Sequence, residues 1–105
     1  MPAVRGLAAL RSRVVTVIDT RVALGLAPTP VVGRAIIAQI DGHHYAFLVD
    51  ALEDVAPYRR QPLLFVPGPG GGWDLAAVGM IERDGEPLLV LDLAVLVPDP
   101  SRIAA

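Results

Sequence analysis

Two Asp-Gly pairs stand in the middle of two apolar segments, and they constrain the fold of this chain more than any other feature. Asp41-Gly42 separates "GRAIIAQI" from "HHYAFLVD", and Asp84-Gly85 separates "LAAVGMIER" from "EPLLVLDL". Asp-Gly supplies the positive φ angles of a type I′ turn, which joins two antiparallel strands. The sequence therefore predicts two β-hairpins.

A third extended region precedes them. The run "VVTVI", Val14 to Ile18, is rich in β-branched residues, which suit a buried strand and disfavour a helix. It ends at Asp19, the predicted N-cap of a short helix, "TRVALGL", that stops near Gly25. Proline then makes "APTPVVG" a connector rather than a continuation of the helix.

The remaining segments are short or irregular. Asp50 closes the second strand of the first hairpin, and "APYRRQPLLFVPGPGGGWD" is predicted to be a long surface loop. Asp92 is expected to cap a helical turn, "LAVLV", before Pro98 and a frayed tail. Short strands, tight turns and two very short helices predict a mainly β fold of the sandwich or small-barrel kind. The length of 105 residues suits one domain.

The composition excludes several classes of function. A hydrophobic fraction of 53% with only 19% charged residues indicates either a generous core or apolar surface that another protein covers. The net charge of −2 argues against nucleic acid and anionic membranes as partners. Without cysteine there is neither a disulfide nor a thiolate site, and no apolar run reaches the roughly 18 residues that cross a bilayer. We predict a soluble, cytoplasmic protein with no membrane insertion.

No constellation of residues points to catalysis. His43 and His44 are adjacent on a strand and point to opposite faces, so they cannot easily share a metal ion. Each carboxylate has a structural role at a turn or a strand end, and neither serine lies in a nucleophile elbow. The "PGPGGGW" stretch lacks the lysine and the hydroxyl residue of a phosphate loop. We therefore predict no enzyme activity, no catalytic residue, no metal and no cofactor.

The segment "LRSR" carries the most interesting charges. Arg11 and Arg13 either share one face of an extended segment or lie in a tight bend between two apolar strands. They are either solvated charges at a turn or partner-facing arginines beside aliphatic groups, the mixture that protein interfaces favour.

The order of these elements resembles the CheW-like domain, the chemotaxis coupling module. "VRGLAALRSRVVTVIDTRVALGL" is similar to the family signature in which "NLRG" leads into a strand ending in "P-V-I-D-L-R" and a short helix. "GRAIIAQIDGHHYAFLVDALEDV" resembles the hairpin of the second subdomain, "RQPL" the element before the long loop, and "LAAVGMIERDGEPLLVLDLAVLV" the closing motif. The resemblance covers nearly the whole chain.

That resemblance implies two small SH3-like β-barrels with short helices, in a single CheW-like domain over residues 1–105. Residues 1–30 would be the remnant of an incomplete first barrel, 31–87 the second barrel, and 88–105 the closing strand and short helix. Family domains begin with two further strands and a short helix, so the chain is expected to start inside the domain.

The resemblance also implies a function and a set of site residues. Members of the family are non-enzymatic adaptors that link chemoreceptors to the histidine kinase CheA. Arg11 matches the arginine of "NLRG", while Ala9 and Ser12 stand where asparagine and glycine are usual. Thr16 and Thr20 likewise replace proline and leucine. The predicted partner-binding residues are Leu10, Arg11, Arg13, Arg34 and His44, and the predicted structural caps are Asp19, Asp50 and Asp92.

Two other hypotheses remain open from the sequence. A shortened CheW-like protein could complete its first barrel by pairing with a second copy, because an open sheet edge is a template for strand addition. A small β-barrel ligand-binding protein or hydrolase could use the His43-His44 region. Both make testable alternatives to an adaptor for a CheA-type kinase and a receptor.

Overall fold

The computed structural model describes residues 3–30, 33–64 and 72–98, and it is mainly β with two sheets. The strands are β1 (Val4–Leu10), β2 (Arg13–Asp19), β3 (Arg34–Ile40), β4 (His43–Val49), β5 (Ala77–Arg83) and β6 (Glu86–Leu91). Two single-turn helices, α1 (Thr20–Ala23) and α2 (Trp73–Ala76), and a 3₁₀ helix (Leu93–Leu96) complete the elements. Within those described ranges, no helix is long and apolar enough to cross a membrane.

Both predicted Asp-Gly hairpins form. Asp41 and Gly42 have φ angles of 51° and 80°, and Asp84 and Gly85 have φ angles of 51° and 79°. These values are those of a type I′ turn, which matches the right-handed twist of the flanking strands. The turns join β3 to β4 and β5 to β6 in antiparallel register.

The larger sheet has the strand order β1-β2-β4-β3, so two hairpins are joined side by side. The joint is parallel, with Thr16 opposite Tyr45 and Asp19 opposite Leu48. The two strands can be parallel because β3 lies between them in the chain: α1 and the segment after it lead from the end of β2 to the start of β3 at the same end of the sheet, and β3 runs back to the start of β4. The predicted boundary between the two barrels, at residue 30, lies in the chain between β2 and β3. Strand β2 before it and strand β4 after it are hydrogen-bonded neighbours in one sheet.

Both faces of β4 are covered, since the four consecutive residues 45–48 are buried, and the aromatic core cluster lies on one of these faces. Ile18 and Phe47 are fully buried and Tyr45 is nearly so, with the two aromatic rings tilted at a centroid distance of 6.0 Å. Leu93, Leu96 and Val97 pack against this cluster, so the 3₁₀ helix after β6 covers the first sheet. The last element among the described residues therefore packs against the core of the larger sheet.

The smaller sheet consists of β5 and β6, with a single bridge at its edge. Gln61 exchanges two backbone hydrogen bonds with Met80, at 2.7 and 3.0 Å. The guanidinium of Arg60 donates a hydrogen bond to the carbonyl of Val78. Its Nε lies 2.7 Å from the position that a Cβ on Gly79 would take. The segment before the glycine-rich stretch therefore lies against β5.

Some local predictions differ from the structure. The predicted strand beginning at Leu75 starts instead at Ala77, because α2 occupies Trp73–Ala76. Asp19 is at the N-cap position of α1 but makes no capping hydrogen bond, since its carboxylate binds Thr29. Most of the predicted glycine-rich loop (65–71) and of the frayed tail (99–105) lies outside the described residues.

Candidate partner-binding surface

The residues between β1 and β2 form a two-residue turn. Arg11 and Ser12 have φ angles of 50° and 68°, and Leu10 lies opposite Arg13 in the register that closes the turn. Of the two arrangements open from the sequence, the tight bend is the one that forms. Leu10, Arg11 and Arg13 are all exposed at this tip, which we call the hairpin tip (residues 10–13).

Arg13 is held by a residue from another hairpin. Its Nη1 lies 2.8 Å from Nε2 of His44, 31 positions further along the chain. A guanidinium can only donate, so Nε2 of His44 is the acceptor in this contact. The parallel pairing of β2 with β4 brings the two side chains together. His43 beside it is exposed, whereas His44 is half-buried.

Arg34 is not part of the hairpin tip. It begins β3 and lies opposite Val49, whereas the turn at Asp41-Gly42 is at the other end of that strand. Seven strand residues span about 20 Å, so Arg34 lies at the opposite end of the sheet. The predicted partner-binding residues therefore occupy two separate places.

The strands behind the hairpin tip expose aliphatic side chains. Leu7 is 71% exposed, Val14 is 66% exposed and Leu10 is 42% exposed. Leu7 and Leu10 lie on β1, and Val14 lies on β2 before the residues that pair with β4. The hairpin tip thus combines arginine with exposed aliphatic groups, as protein interfaces do.

A polar cluster around the buried Asp19 lies at the end of this hairpin that is remote from the hairpin tip. The Asp19 carboxylate accepts hydrogen bonds from the N–H and the hydroxyl of Thr29, and Arg5 Nη1 lies 3.4 Å from it. Burial acts to raise the pKa of Asp19, but the Thr29 hydrogen bonds, the nearby backbone N–H of Val22 and the positive charge of Arg5 outweigh it and hold the pKa below its ordinary value. The carboxylate is therefore ionised and ties β1, β2 and the connector together.

Asp50 and Asp92 have different surroundings. The carboxylate of Asp92 accepts from the N–H of Ala94 at 3.0 Å, at the N-cap of the 3₁₀ helix. Asp50 follows β4 and forms an exposed ion pair with Arg21 at 3.1 Å. Exposed pairs of this kind contribute little to stability.

A groove of about 600 Å³ lies between the two sheets. Its lining includes the Arg21–Asp50 pair and an ion pair between Arg83 and Glu53, so its charges are compensated. The hydroxyl of Thr20, which also lines the groove, is buried and has no hydrogen-bond partner in the described structure. The larger apolar side chains in its lining are Leu24, Leu26, Leu48, Trp73, Leu88 and Leu89.

The described residues contain no site for a metal ion. Across 3–30, 33–64 and 72–98, no three His, Cys, Asp or Glu side chains come close enough to hold one. The hairpin tip and the strands behind it expose arginine and aliphatic groups, a mixture suited to contact with another protein.

Comparison with known proteins shows the family to which this chain belongs. The family model of the CheW-like domain matches residues 1–101, and the chain belongs to that family of scaffolding domains. A similar solved structure is the scaffolding protein TtCheW from Thermoanaerobacter tengcongensis, with a TM-score of 0.69 and 24% identity over 91% of this chain and 67% of that one. No curated protein matches the chain. A non-enzymatic role is consistent with membership of a scaffolding family.

The residues that support the hairpin tip and its strands could not be predicted from the sequence. Thr29 and Arg5 gave no signal, because each lies far along the chain from Asp19. The contact between Arg13 and His44 was likewise invisible, because it depends on which strands pair. Glycine at position 6, with a φ of 137°, marks the bulge that leaves Arg5 without an opposite residue on β2.

Proposed function

We propose that the chain is a cytoplasmic adaptor that couples a chemoreceptor or another regulator to a histidine kinase of the CheA type. The hairpin tip is the observation that carries the proposal, since it presents Arg11 and Arg13 beside Leu10 on a rigid two-residue turn. Arginine anchored next to aliphatic groups is typical of residues that dominate binding energy in interfaces. Family membership supports a scaffolding role.

An adaptor needs two separate surfaces, and the sheet offers them. The hairpin tip lies at one end, and Arg34 lies at the other end of β3. We assign the hairpin tip to one partner and the Arg34 end to the other. Simultaneous binding is then sterically compatible, because the two surfaces do not overlap.

His44 acts in this proposal as a positioning residue. By accepting from Arg13, it holds the guanidinium in one orientation and reduces the entropy lost on binding. Its replacement by glutamine retains an acceptor, whereas alanine removes it. We therefore expect H44A to weaken binding and H44Q to preserve much of it.

The test is titration of the purified chain with the regulatory domain of a CheA-type kinase, followed by calorimetry. We expect R11A and R13A each to weaken binding about tenfold, the scale of an interface residue whose truncation costs more than about 1 kcal/mol. Arg59 is an exposed arginine outside the strands and the hairpin tip, so R59A is the matched control and should bind like the unmodified chain. Unchanged binding in R11A and R13A would remove the hairpin tip from the interface, and absence of any binding would reject the kinase as partner.

A further inference from the structure

The side-chain contact between Arg13 and His44 lies just beyond the strand pairing that joins the two hairpins. The paired residues of β2 and β4 begin at Thr16 and Tyr45, and Arg13 and His44 precede them. The hairpin tip therefore projects past the main-chain hydrogen bonds between β2 and β4. Within the described residues, Arg13 makes its side-chain hydrogen bond to His44 alone, so this contact fixes the position of its guanidinium.

The contact depends on the protonation of one ring nitrogen. Nε2 of His44 lies 2.8 Å from Nη1 of Arg13, and the guanidinium has donors but no acceptor. A neutral ring can therefore make the contact only in the tautomer that carries its proton on Nδ1. Protonation of that ring at Nε2 occupies the lone pair that accepts the hydrogen bond and places two cations side by side. The contact is lost when the ring becomes an imidazolium.

The charged groups on the elements around His44 do not replace this contact. On β3 the residue opposite His44 is the uncharged Gln39, and on β4 itself His43 points to the other face. The charges on the adjoining turns are those of Arg11 and Asp41. The ion pairs within the described ranges use other carboxylates, those of Asp19, Asp50 and Glu53. A protonated His44 therefore gains no carboxylate partner in the described part of the chain.

We propose that the Arg13–His44 contact is a pH-sensitive switch of the hairpin tip, in which a neutral His44 fixes the Arg13 guanidinium for partner binding and protonation of His44 releases it. The inference rests on the proposed function, because it names a regulation of the same surface. A released guanidinium must be ordered again when the partner binds, which lowers the affinity. Because the contact is exposed, protons reach it without any opening of the fold.

The first experiment detects the switch in the free chain, by ¹⁵N NMR of the histidine rings. At about pH 8, Nε2 of His44 should be unprotonated, with the ring proton on Nδ1. Replacing Arg13 by methionine, which has no donor, should abolish this preference between tautomers. His43 is the internal control, because it lies on the opposite face of the same strand and should not respond to R13M. The mobility of the Arg13 side chain, from ¹³C relaxation of its Cδ, should rise as His44 is protonated.

The second experiment measures binding of the regulatory domain of a CheA-type kinase at about pH 8 and at about pH 5.5, which span most of the range in which histidine changes its charge. The unmodified chain should bind about two- to tenfold more weakly at the lower pH, the cost of immobilising one long side chain. The fold should persist at both pH values, because the stabilising contribution of Asp19 is lost only below about pH 4. Circular dichroism checks this.

Two glutamine variants separate His44 from every other group that titrates. H44Q keeps an acceptor for Arg13 but carries no titratable ring, so its affinity at the higher pH should be preserved and its decrease at the lower pH should be smaller. H43Q is the matched control and should show the full decrease. Titration of groups on the kinase domain affects all the variants alike, so the comparison between variants isolates the contribution of His44.

Several results would overturn the inference. A proton on Nε2 of His44 in the neutral ring, or the same tautomer in R13M as in the unmodified chain, would show that the contact does not form in solution. An equal decrease of affinity in H44Q and in the unmodified chain, or no decrease in either, would show that His44 does not regulate binding. If no variant binds the kinase domain at either pH, the proposed function is rejected, and the NMR result on the free chain alone decides whether the switch exists.

Discussion

The carboxylate of Asp19 is held by two hydrogen bonds from one residue, Thr29, whose N–H donates at 3.0 Å and whose hydroxyl donates at 2.8 Å. Both residues are buried, and Arg5 adds a longer contact from β1. Strands β1 and β2 and the connector that follows α1 therefore meet at a single charged group.

Replacing Thr29 by valine should destabilise the fold. The substitution preserves the shape of the side chain and the backbone N–H, but it removes the hydroxyl that donates to an ionised, buried acceptor. Hydrogen bonds to charged groups contribute roughly 1.5–3 kcal/mol, so we expect a loss of about 2 kcal/mol in the free energy of unfolding. Urea titration measures this loss. A stability equal to that of the unmodified chain would mean that another donor replaces the hydroxyl.

Stability should depend on pH through Asp19. Its pKa is lowered in the folded state, so the unfolded chain binds the proton more tightly. The stabilising contribution is therefore fully present above the unfolded pKa of about 4 and is lost as the pH falls through the lower folded value. Urea titrations across this acidic range should show the decline, and D19N should show a shallower one. An equal slope in D19N would assign the effect to other carboxylates.

Replacing Thr20 by valine should stabilise the fold, in contrast to the same replacement at Thr29. The Thr20 hydroxyl is buried without a hydrogen-bond partner, so valine removes a polar group that gains nothing from burial. We expect the free energy of unfolding to rise by about 1 kcal/mol, the lower range for an unsatisfied buried hydroxyl. A fall in stability by thermal or urea unfolding would mean that the hydroxyl makes a bond in solution.

Ser12→Gly should stabilise the hairpin tip. Ser12 has a φ of 68°, a left-handed conformation that costs an L-residue roughly 1–2 kcal/mol and glycine very little. After the greater flexibility of glycine in the unfolded chain is subtracted, we expect a gain of about 0.5–1 kcal/mol in unfolding free energy. The reciprocal control is G42S in the second hairpin, where φ is 80° and a Cβ has open space, so only backbone strain changes. It should lose a similar amount.

Two glycines near the second sheet should respond differently to alanine. A Cβ on Gly72 would lie 2.4 Å from the carbonyl oxygen of Ala23, a backbone atom, whereas a Cβ on Gly79 would lie 2.7 Å from the side-chain Nε of Arg60. Overpacking costs about 1–3 kcal/mol, and a flexible side chain relaxes more easily than backbone. We expect G72A near the upper value and G79A near the lower one in urea unfolding.

The double variant R60A/G79A provides the control for that comparison. Removing the Arg60 side chain should recover part of the stability lost in G79A, because it clears the nearest clash. No recovery would identify the carbonyl of Gln61, 3.1 Å from the same Cβ, as the limiting contact. Comparing the double variant with the single variants R60A and G79A gives the coupling energy between the two positions.

The candidate surface was only partly predictable. Arg11 and Arg13 attracted attention in the sequence because charged residues interrupt an apolar run, but their conformation stayed open between an extended segment and a bend. The two-residue turn follows from the pairing of β1 with β2, and the position of His44 beside Arg13 follows from the pairing of β2 with β4. Arg34 was grouped with them, yet it lies at the other end of the sheet.

Local chemistry by itself determined the turns and several strand ends of this protein. Asp-Gly favours the positive φ angles of a type I′ turn, and a β-branched run such as Val14 to Ile18 prefers an extended backbone. Tertiary structure alone decided that β2 and β4 lie side by side in parallel, and that Asp19 binds Thr29 instead of capping α1. An aspartate accepts from whichever donors reach it after burial, and those donors come from distant segments that no local pattern specifies.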